Sequence, residues 1–400
     1  MSKPNFVRCV FGILLLIIPW SMGAAATSVR PLKKLDARQM LNAHPGALLR
    51  NFDLSPDGRF IALLYGTADW SRKLADRDFI FWVGVWEIDS GKLVKEVRVA
   101  GPARYRDLFP NPQYSTHMEF SEGGEYLAAV IGSSLKVLGV PGLDTSLTAN
   151  AERGYAMRHV AFSQDGRILA YTSSRDVAPD QPVRVDVNGL QEPRTSSWKL
   201  QFAPHSLSLS PDGKRILFSA FPLMQGPHDA DVLLFDTYSG KLLRSFDADY
   251  PGGHSWGAGW VRFLAPDRFM TSPSGSVNTA NDLKRGTLKT WNVDTGKLIQ
   301  ELSYGPYGVR GEFVALATSP VVAAMTGSEN PAKVGCDENC GSFRKWLLFD
   351  INKSEPVYVS DALHSGKSAG PFDGEIRMSK NGEIVAVPQG EKVELYRITF

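Results

Sequence analysis

Few residues in this 400-residue chain have the types and spacing for chemistry. Gly253-His254-Ser255-Trp256-Gly257 has the G-x-S-x-G spacing of a nucleophile elbow. That chemistry needs the serine on a sharp strand-to-helix turn, with an acid and a histidine downstream. Here Trp260-Val261-Arg262-Phe263 follows, which reads as a strand, so a glycine-rich connector accounts for the match. His228-Asp229-Ala230-Asp231 offers an imidazole and two carboxylates to a cation, and equally fits solvated loop residues. His117, His159 and His205 each lie near the start of an apolar run, either to face a ligand or as satisfied structural histidines. Neither the P-loop nor the dinucleotide fingerprint occurs, and no catalytic residue, metal set or cofactor is assigned.

Three cysteines are present. Cys9 precedes an apolar run without a lipobox ahead of it, so no lipid is expected there. Lys3 and Arg8, the run Val10 to Ile18, and the small residues Ala24-Ala25-Ala26 have the order of a secretory signal peptide. Residues 1–26 are assigned to it, with Ala24 and Ala26 at the cleavage site. An uncleaved anchor is the alternative, although the run is short of the about twenty residues of a membrane span. In an exported chain the remaining pair, Cys336 and Cys340, reads as a disulfide, with free thiols or a metal as alternatives. A periplasmic or secreted location follows, with no stable membrane span after signal removal.

The elements that must position all this are repeats. Leu207 to Ser219, LSLSPDGKRILFS, reads as two strands around the turn Ser210-Pro211-Asp212-Gly213. Proline presets one turn position, aspartate bonds its own backbone, and glycine accepts a positive φ. The phrase returns at Phe52–Leu64, Met118–Val130, Val160–Thr172, Val261–Ser272, Val314–Met325 and Ile376–Val387. The copies lie about 42 to 66 residues apart, the range of propeller blades with insertions. Most are followed by a second hairpin, as in VWEIDSGKLVKEVRV (Val85–Val99) and LKTWNVDTGKLIQEL (Leu288–Leu302). Each unit therefore holds four strands, a to d.

The expected fold is all-β: a seven-bladed β-propeller of four-stranded antiparallel blades, a single domain over 28–400. The last unit lacks a strand d, and an open ring would leave two sheet edges exposed. Ser28 to Leu35 is expected to supply that strand, with Pro31 suited to an outermost position. The a–b and c–d turns are short, whereas every long insertion is a b–c loop or a d–a connector, so all should emerge on one face. Loops on a rigid scaffold are where binding usually sits. Trp70, Arg72, Tyr105, Arg106, His228, His254, Trp256, Tyr307 and Arg310 fall in these segments and are the expected partner contacts, since tryptophan, tyrosine and arginine anchor interfaces. The alternative is that they pack over the blades.

The phrases at Phe52–Gly58, Val160–Gly166 and Leu207–Gly213, with Leu-Lys-Thr-Trp-Asn-Val-Asp-Thr-Gly-Lys at Leu288–Lys297, resemble the WD-repeat and YVTN-type β-propellers, the exported bacterial members in particular. Gly253-His254 sits where that family has Gly-His, but Arg285 stands where its buried tetrad has aspartate. The resemblance implies an interaction platform. A formal net charge of +2, from 44 basic and 42 acidic residues, argues against nucleic acid. The expected function is a non-catalytic, monomeric, exported scaffold whose loop face binds a protein or cell-envelope component; a channel filled by side chains under a broad aromatic loop surface would favour it. The rival is a lactonase-like or quinoprotein-like enzyme with its site at the channel mouth, which should bring several titratable groups from different blades together.

Overall fold

The computed structural model describes residues 28–36, 44, 46–68, 71, 77–104, 116–175, 182–219, 231–248, 258–273, 287–303, 309–315, 321–326, 343–353, 355–361, 363–364, 376–389 and 392–399. Every regular element among them is a strand, and seven four-stranded antiparallel sheets form the blades of a ring. Strands a, in blade order, are Leu48–Leu54, Thr116–Phe120, Ala156–Phe162, Leu207–Leu209, Ala258–Ala265, Val309–Ala315 and Arg377–Met378. Within each blade the order is a-b-c-d, and in blades 1 to 6 consecutive hairpins build the whole sheet.

The turn after strand a owes its repetition to one local network. In blade 1, Ser55 Oγ donates to Asp57 Oδ1 at 2.6 Å and accepts from Phe60 N at 2.8 Å, while Arg59 N donates to Asp57 Oδ1 at 3.0 Å. Ser163 with Asp165, Ser210 with Asp212, and Ser379 with Asn381 repeat it. Gly213 in this turn has φ +67°, and a Cβ there would lie 2.4 Å from Ile168 Cδ1 of blade 3. Glycine is thus required twice over, for backbone conformation and for the approach of the neighbouring blade.

The core is divided rather than central. Seven apolar clusters occur among the described residues, each between two adjacent blades. Between blades 1 and 2, for example, Phe79, Phe81 and Val83 meet Met118, Leu127 and Ile131. Each such side chain contributes about 1.5–3 kcal/mol on burial. Sheets that bury both faces against neighbours leave the axis of the ring unfilled.

The ring closes as the sequence requires. Ser28–Asp36 pairs with Lys392–Thr399 as strand d of blade 7, with Pro31 opposite Tyr396 on this outermost strand and a register irregularity that leaves Leu32 unpaired. A second observation makes this a true strand d. Strands d reach the c–d turn of the next blade: Trp198 Nε1 donates to Thr237 O, Arg244 to Asp294 O and Gln300 to Ile351 O. Lys33 Nζ does the same to Ile88 O at 3.0 Å, so the first strand carries both the pairing and the seam contact of a blade edge.

Strand ends also fix where the long segments leave. Those at 69–77, 105–115, 220–230, 249–257, 274–286, 327–342 and 365–375 all join strand b to c or d to a, and so start and finish at one rim. On that rim Phe343–Arg344 pairs with Leu363–His364, lengthening the outer hairpin of blade 6.

Candidate functional site

The site begins with strand a, whose alternate residues face the seams and the axis. In blade 2, Met118 and Phe120 are buried while His117 and Glu119 are partly exposed and line a central cavity. In blade 5, Val261 and Phe263 are buried while Trp260 and Arg262 line it. Blade 3 departs from alternation. Met157 pairs with Ser173 and Val160 with Tyr171, so Arg158 and His159 together oppose one residue. Such a bulge re-aims side chains, and both consecutive residues line the cavity.

The cavity measures about 280 Å³. The channel is therefore not filled by side chains, the outcome that would have favoured a scaffold over an enzyme, because the apolar packing lies in the seams instead. Its wall is mixed along both arcs. Blades 2 to 5 contribute His117, Glu119, Arg158, His159, His205, Trp260 and Arg262 beside Phe120, Val160, Leu207 and Val261, and blades 6 and 7 contribute Arg377 and Lys380 beside Phe313, Val314, Ile376 and Met378. A smaller recess of about 40 Å³ continues toward the turn rim and shares Glu119, Glu122 and Arg262 with the cavity.

Between these arcs lies an ion pair. Arg377 Nε of blade 7 stands 3.0 Å from Asp53 Oδ1 of blade 1. Asp53 also accepts from its neighbour Leu54 N at 2.8 Å and, through Oδ2, from Phe120 N of blade 2 at 2.6 Å. One carboxylate thereby joins three blades. Burial pushes its carboxyl up to about 6, against the opposing pull of Arg377 and the two amides. Ser208 holds the same register in blade 4 and accepts from Phe263 N of blade 5 at 3.0 Å. Beside it, Ser206 Oγ accepts from Val261 N at 3.0 Å.

The three histidines singled out in the sequence converge on this cavity, and they are also engaged by the protein. His159 Nε2 lies 3.1 Å from Pro204 O, and His117 Nε2 lies 3.5 Å from Glu119 Oε2. Burial, with the nearby His117 and Arg158, lowers His159 to about 3, and burial lowers His205 to about 4. Both imidazoles are neutral at pH 7, able to donate and accept but not to supply charge.

Most loop residues expected as partner contacts lie outside the described residues: Trp70, Arg72, Tyr105, Arg106, His228, His254, Trp256 and Tyr307. So do Cys336, Cys340, Ala24 and Ala26. Arg310 is a correction, since it belongs to strand a of blade 6 and not to a connector. It sits in an irregularity between Val309 and Phe313, as Arg158 does in blade 3 and Arg50 in blade 1. Asp231 is structural: it is buried and its Oδ2 accepts from Ala248 N at 3.1 Å. No group of three or more His, Cys, Asp or Glu among the described residues is placed to hold a metal. Strand Ala258–Ala265 follows Gly253–Gly257 where a nucleophile elbow would need a helix. Of the WD-repeat tetrad, Trp291 Nε1 donating to Thr271 Oγ1 at 3.1 Å is present.

Sequence reasoning missed Arg158, Arg262, Glu119 and the Asp53–Arg377 pair. The available signal was a charged residue inside an otherwise apolar strand a, at a register that faces the axis.

No family model matches the chain, and no curated protein matches it. Among solved structures, a chain of a mitotic checkpoint complex superposes with a TM-score of 0.57 at 12% identity, over 100% of this chain and 97% of that one. Hydrazine synthase of Kuenenia stuttgartiensis matches with a TM-score of 0.47 at 15% identity, over 68% and 73%. The first likeness is one of fold alone, in keeping with the seven-bladed ring described above.

Proposed function

We propose that this protein is an exported, non-catalytic propeller that binds a protein or cell-envelope component through the rim carrying its long segments. The observation behind this reading is the gathering of every long b–c and d–a segment onto one end of the strands, while the other end carries only short turns. A rigid ring with one irregular rim is a platform. The structural neighbour comes from a multiprotein complex, which is consistent with a protein partner. Export rests on the order of charge, apolar run and small residues before Ala26. Cleavage there would leave one residue ahead of the closing strand at Ser28, so processing would spare the fold. In that compartment Cys336 and Cys340 pair, and the protein works as a monomer. Mass spectrometry of the mature chain, with and without reduction, tests cleavage and the disulfide together.

The decisive experiment is cross-linking of the mature protein in a cell-envelope extract, followed by identification of what is joined to it. Alanine at Trp70, Tyr105 and Trp256 should abolish one specific cross-link while the unfolding midpoint is unchanged. Cross-links indifferent to those substitutions would end the reading. The rival, a lactonase-like or quinoprotein-like enzyme, draws on the convergence of His117, His159 and His205 in one channel. Metal and cofactor analysis of the same preparation decides between them.

A further inference from the structure

We propose that the channel holds a second site, separate from the loop rim, for a small zwitterion of the amino-acid class. Its ammonium would lie against Glu122 of blade 2 and its carboxylate against Arg262 of blade 5.

These two side chains are singled out by what the others already have. Of the arginines lining the cavity, Arg158 is bonded through Nε to Ser174 Oγ at 2.6 Å, and Arg377 stands 3.0 Å from Asp53. Of the carboxylates, Asp53 is taken up by Arg377 and two amides, and Glu119 Oε2 lies 3.5 Å from His117 Nε2. Arg262 and Glu122 have no hydrogen-bond or ion-pair partner among the described residues, and they do not pair with each other. Both are partly exposed to the same channel. A guanidinium favours an oxyanion that accepts two parallel N–H bonds, and a carboxylate favours a charged donor.

The fold fixes where the two stand. Both line the recess of about 40 Å³ as well as the cavity. Four consecutive blades wall this recess, and their inner ends touch. A Cβ at Gly166 of blade 3 would lie 3.3 Å from Cβ of Ser121, the residue before Glu122. Gln164 N of blade 3 donates to Pro211 O of blade 4 at 3.2 Å. Ser208 Oγ of blade 4 accepts at 3.0 Å from the amide of Phe263, the residue after Arg262. Glu122 and Arg262 are thus the two ends of one arc of direct contacts. The recess they share has room for little more than one water, ~30 Å³, and it opens into the larger cavity of about 280 Å³. A simple anion placed there would meet Glu119 and Glu122 on the wall of blade 2, and a simple amine would meet Arg262. A ligand charged at both ends answers both walls.

The test is calorimetric titration of the mature protein with glycine, β-alanine and γ-aminobutyrate, which differ in the separation of their charges. Butanoate and butylamine serve as one-ended analogues. The tightest of the three amino acids should bind in the millimolar range, and both analogues at least about 10-fold more weakly. Arg262→Gln and Glu122→Gln should each weaken that amino acid at least about 10-fold at unchanged unfolding midpoint. Arg262→Gln should also narrow its advantage over butylamine, and Glu122→Gln its advantage over butanoate, changes that a merely structural role would not produce. The comparison of ligands on the unsubstituted protein stands even if a variant fails to fold. Absence of binding by all three amino acids at about 20 mM, equal binding of either analogue, or indifference to both substitutions would overturn the proposal.

Discussion

The two ends of strand a differ in kind. At the turn rim, blades 1, 3, 4 and 7 finish in the same serine-centred network, built from residues two to five positions apart. At the other rim strands a of blades 1, 3, 5 and 6 break register, and side chains there make unlike contacts: His159 on Pro204 O, Asn51 on Thr116 O, Ser219 on Gly259 O. The repeated end needs no long-range information and so returns almost unchanged in sequence. The irregular end is where blades become individuals. The comparison teaches that scaffold and site occupy opposite ends of the same seven strands, and that bulges are the devices separating them.

Substitutions can break or sharpen this contrast. The largest effect is expected at Asp53, the next-to-last residue of strand a in blade 1. Asp53→Ala leaves Arg377 buried without its 3.0 Å partner and should cost about 3 kcal/mol or more in urea unfolding. The double variant with Arg377→Ala should recover part of it, and strict additivity would show that the pair is not coupled.

Next comes the turn rim. Gly213→Ala combines φ +67° with a Cβ 2.4 Å from Ile168 and should cost about 3 kcal/mol. Gly154→Ala, on the loop-rim side, has φ +86° but nothing within 4 Å and should cost about 1 kcal/mol. Equal costs would mean that the close approach of blades at the turn does not matter.

A pH titration addresses the other end. His159 and His205 are lowered to about 3 and about 4, so below the unfolded value of about 6.5 the unfolded chain binds protons that the folded one does not. Their contribution is complete above about 6.5 and is lost as pH falls toward 3–4, on the order of 2 kcal/mol each by pH 5. Asp53, raised to about 6, acts in the opposite direction, since its contribution is lost as pH rises from about 3.8 to 6. Urea midpoints at pH 5 and 7.5 should therefore converge in His159→Asn and His205→Asn. Unaltered pH dependence in both would remove the histidines from the account. The smallest effect is expected for Ser163→Ala, about 1 kcal/mol for one turn network among several.

The fold was legible because each blade repeats its own instructions. Alternating apolar residues around Ser-Pro-Asp-Gly specify a hairpin from neighbours alone, and the missing strand d called for Ser28–Leu35 by elimination. The cavity was less legible. His117, His159 and His205 stood out by type, yet their convergence depends on seven distant strands sharing an axis. Arg158 was overlooked because strict alternation cannot anticipate a bulge that turns two consecutive residues the same way. Arg310 was taken for loop because Gly311 interrupts the pattern, although an irregular strand accommodates it. Asp53 was passed over, since its partners Phe120 and Arg377 come from blades on either side.

Joining the first strand to the last has a temporal consequence. Lys34 and Glu394 meet across 360 residues, so the blade that locks the circle cannot be completed until synthesis has delivered Lys392–Thr399. Until then the hairpins of blade 7 and the flank of blade 1 present bare edges able to recruit strands from other molecules. The edges of this ring are closed against such recruitment only when Ser28–Asp36 and Lys392–Thr399 clasp.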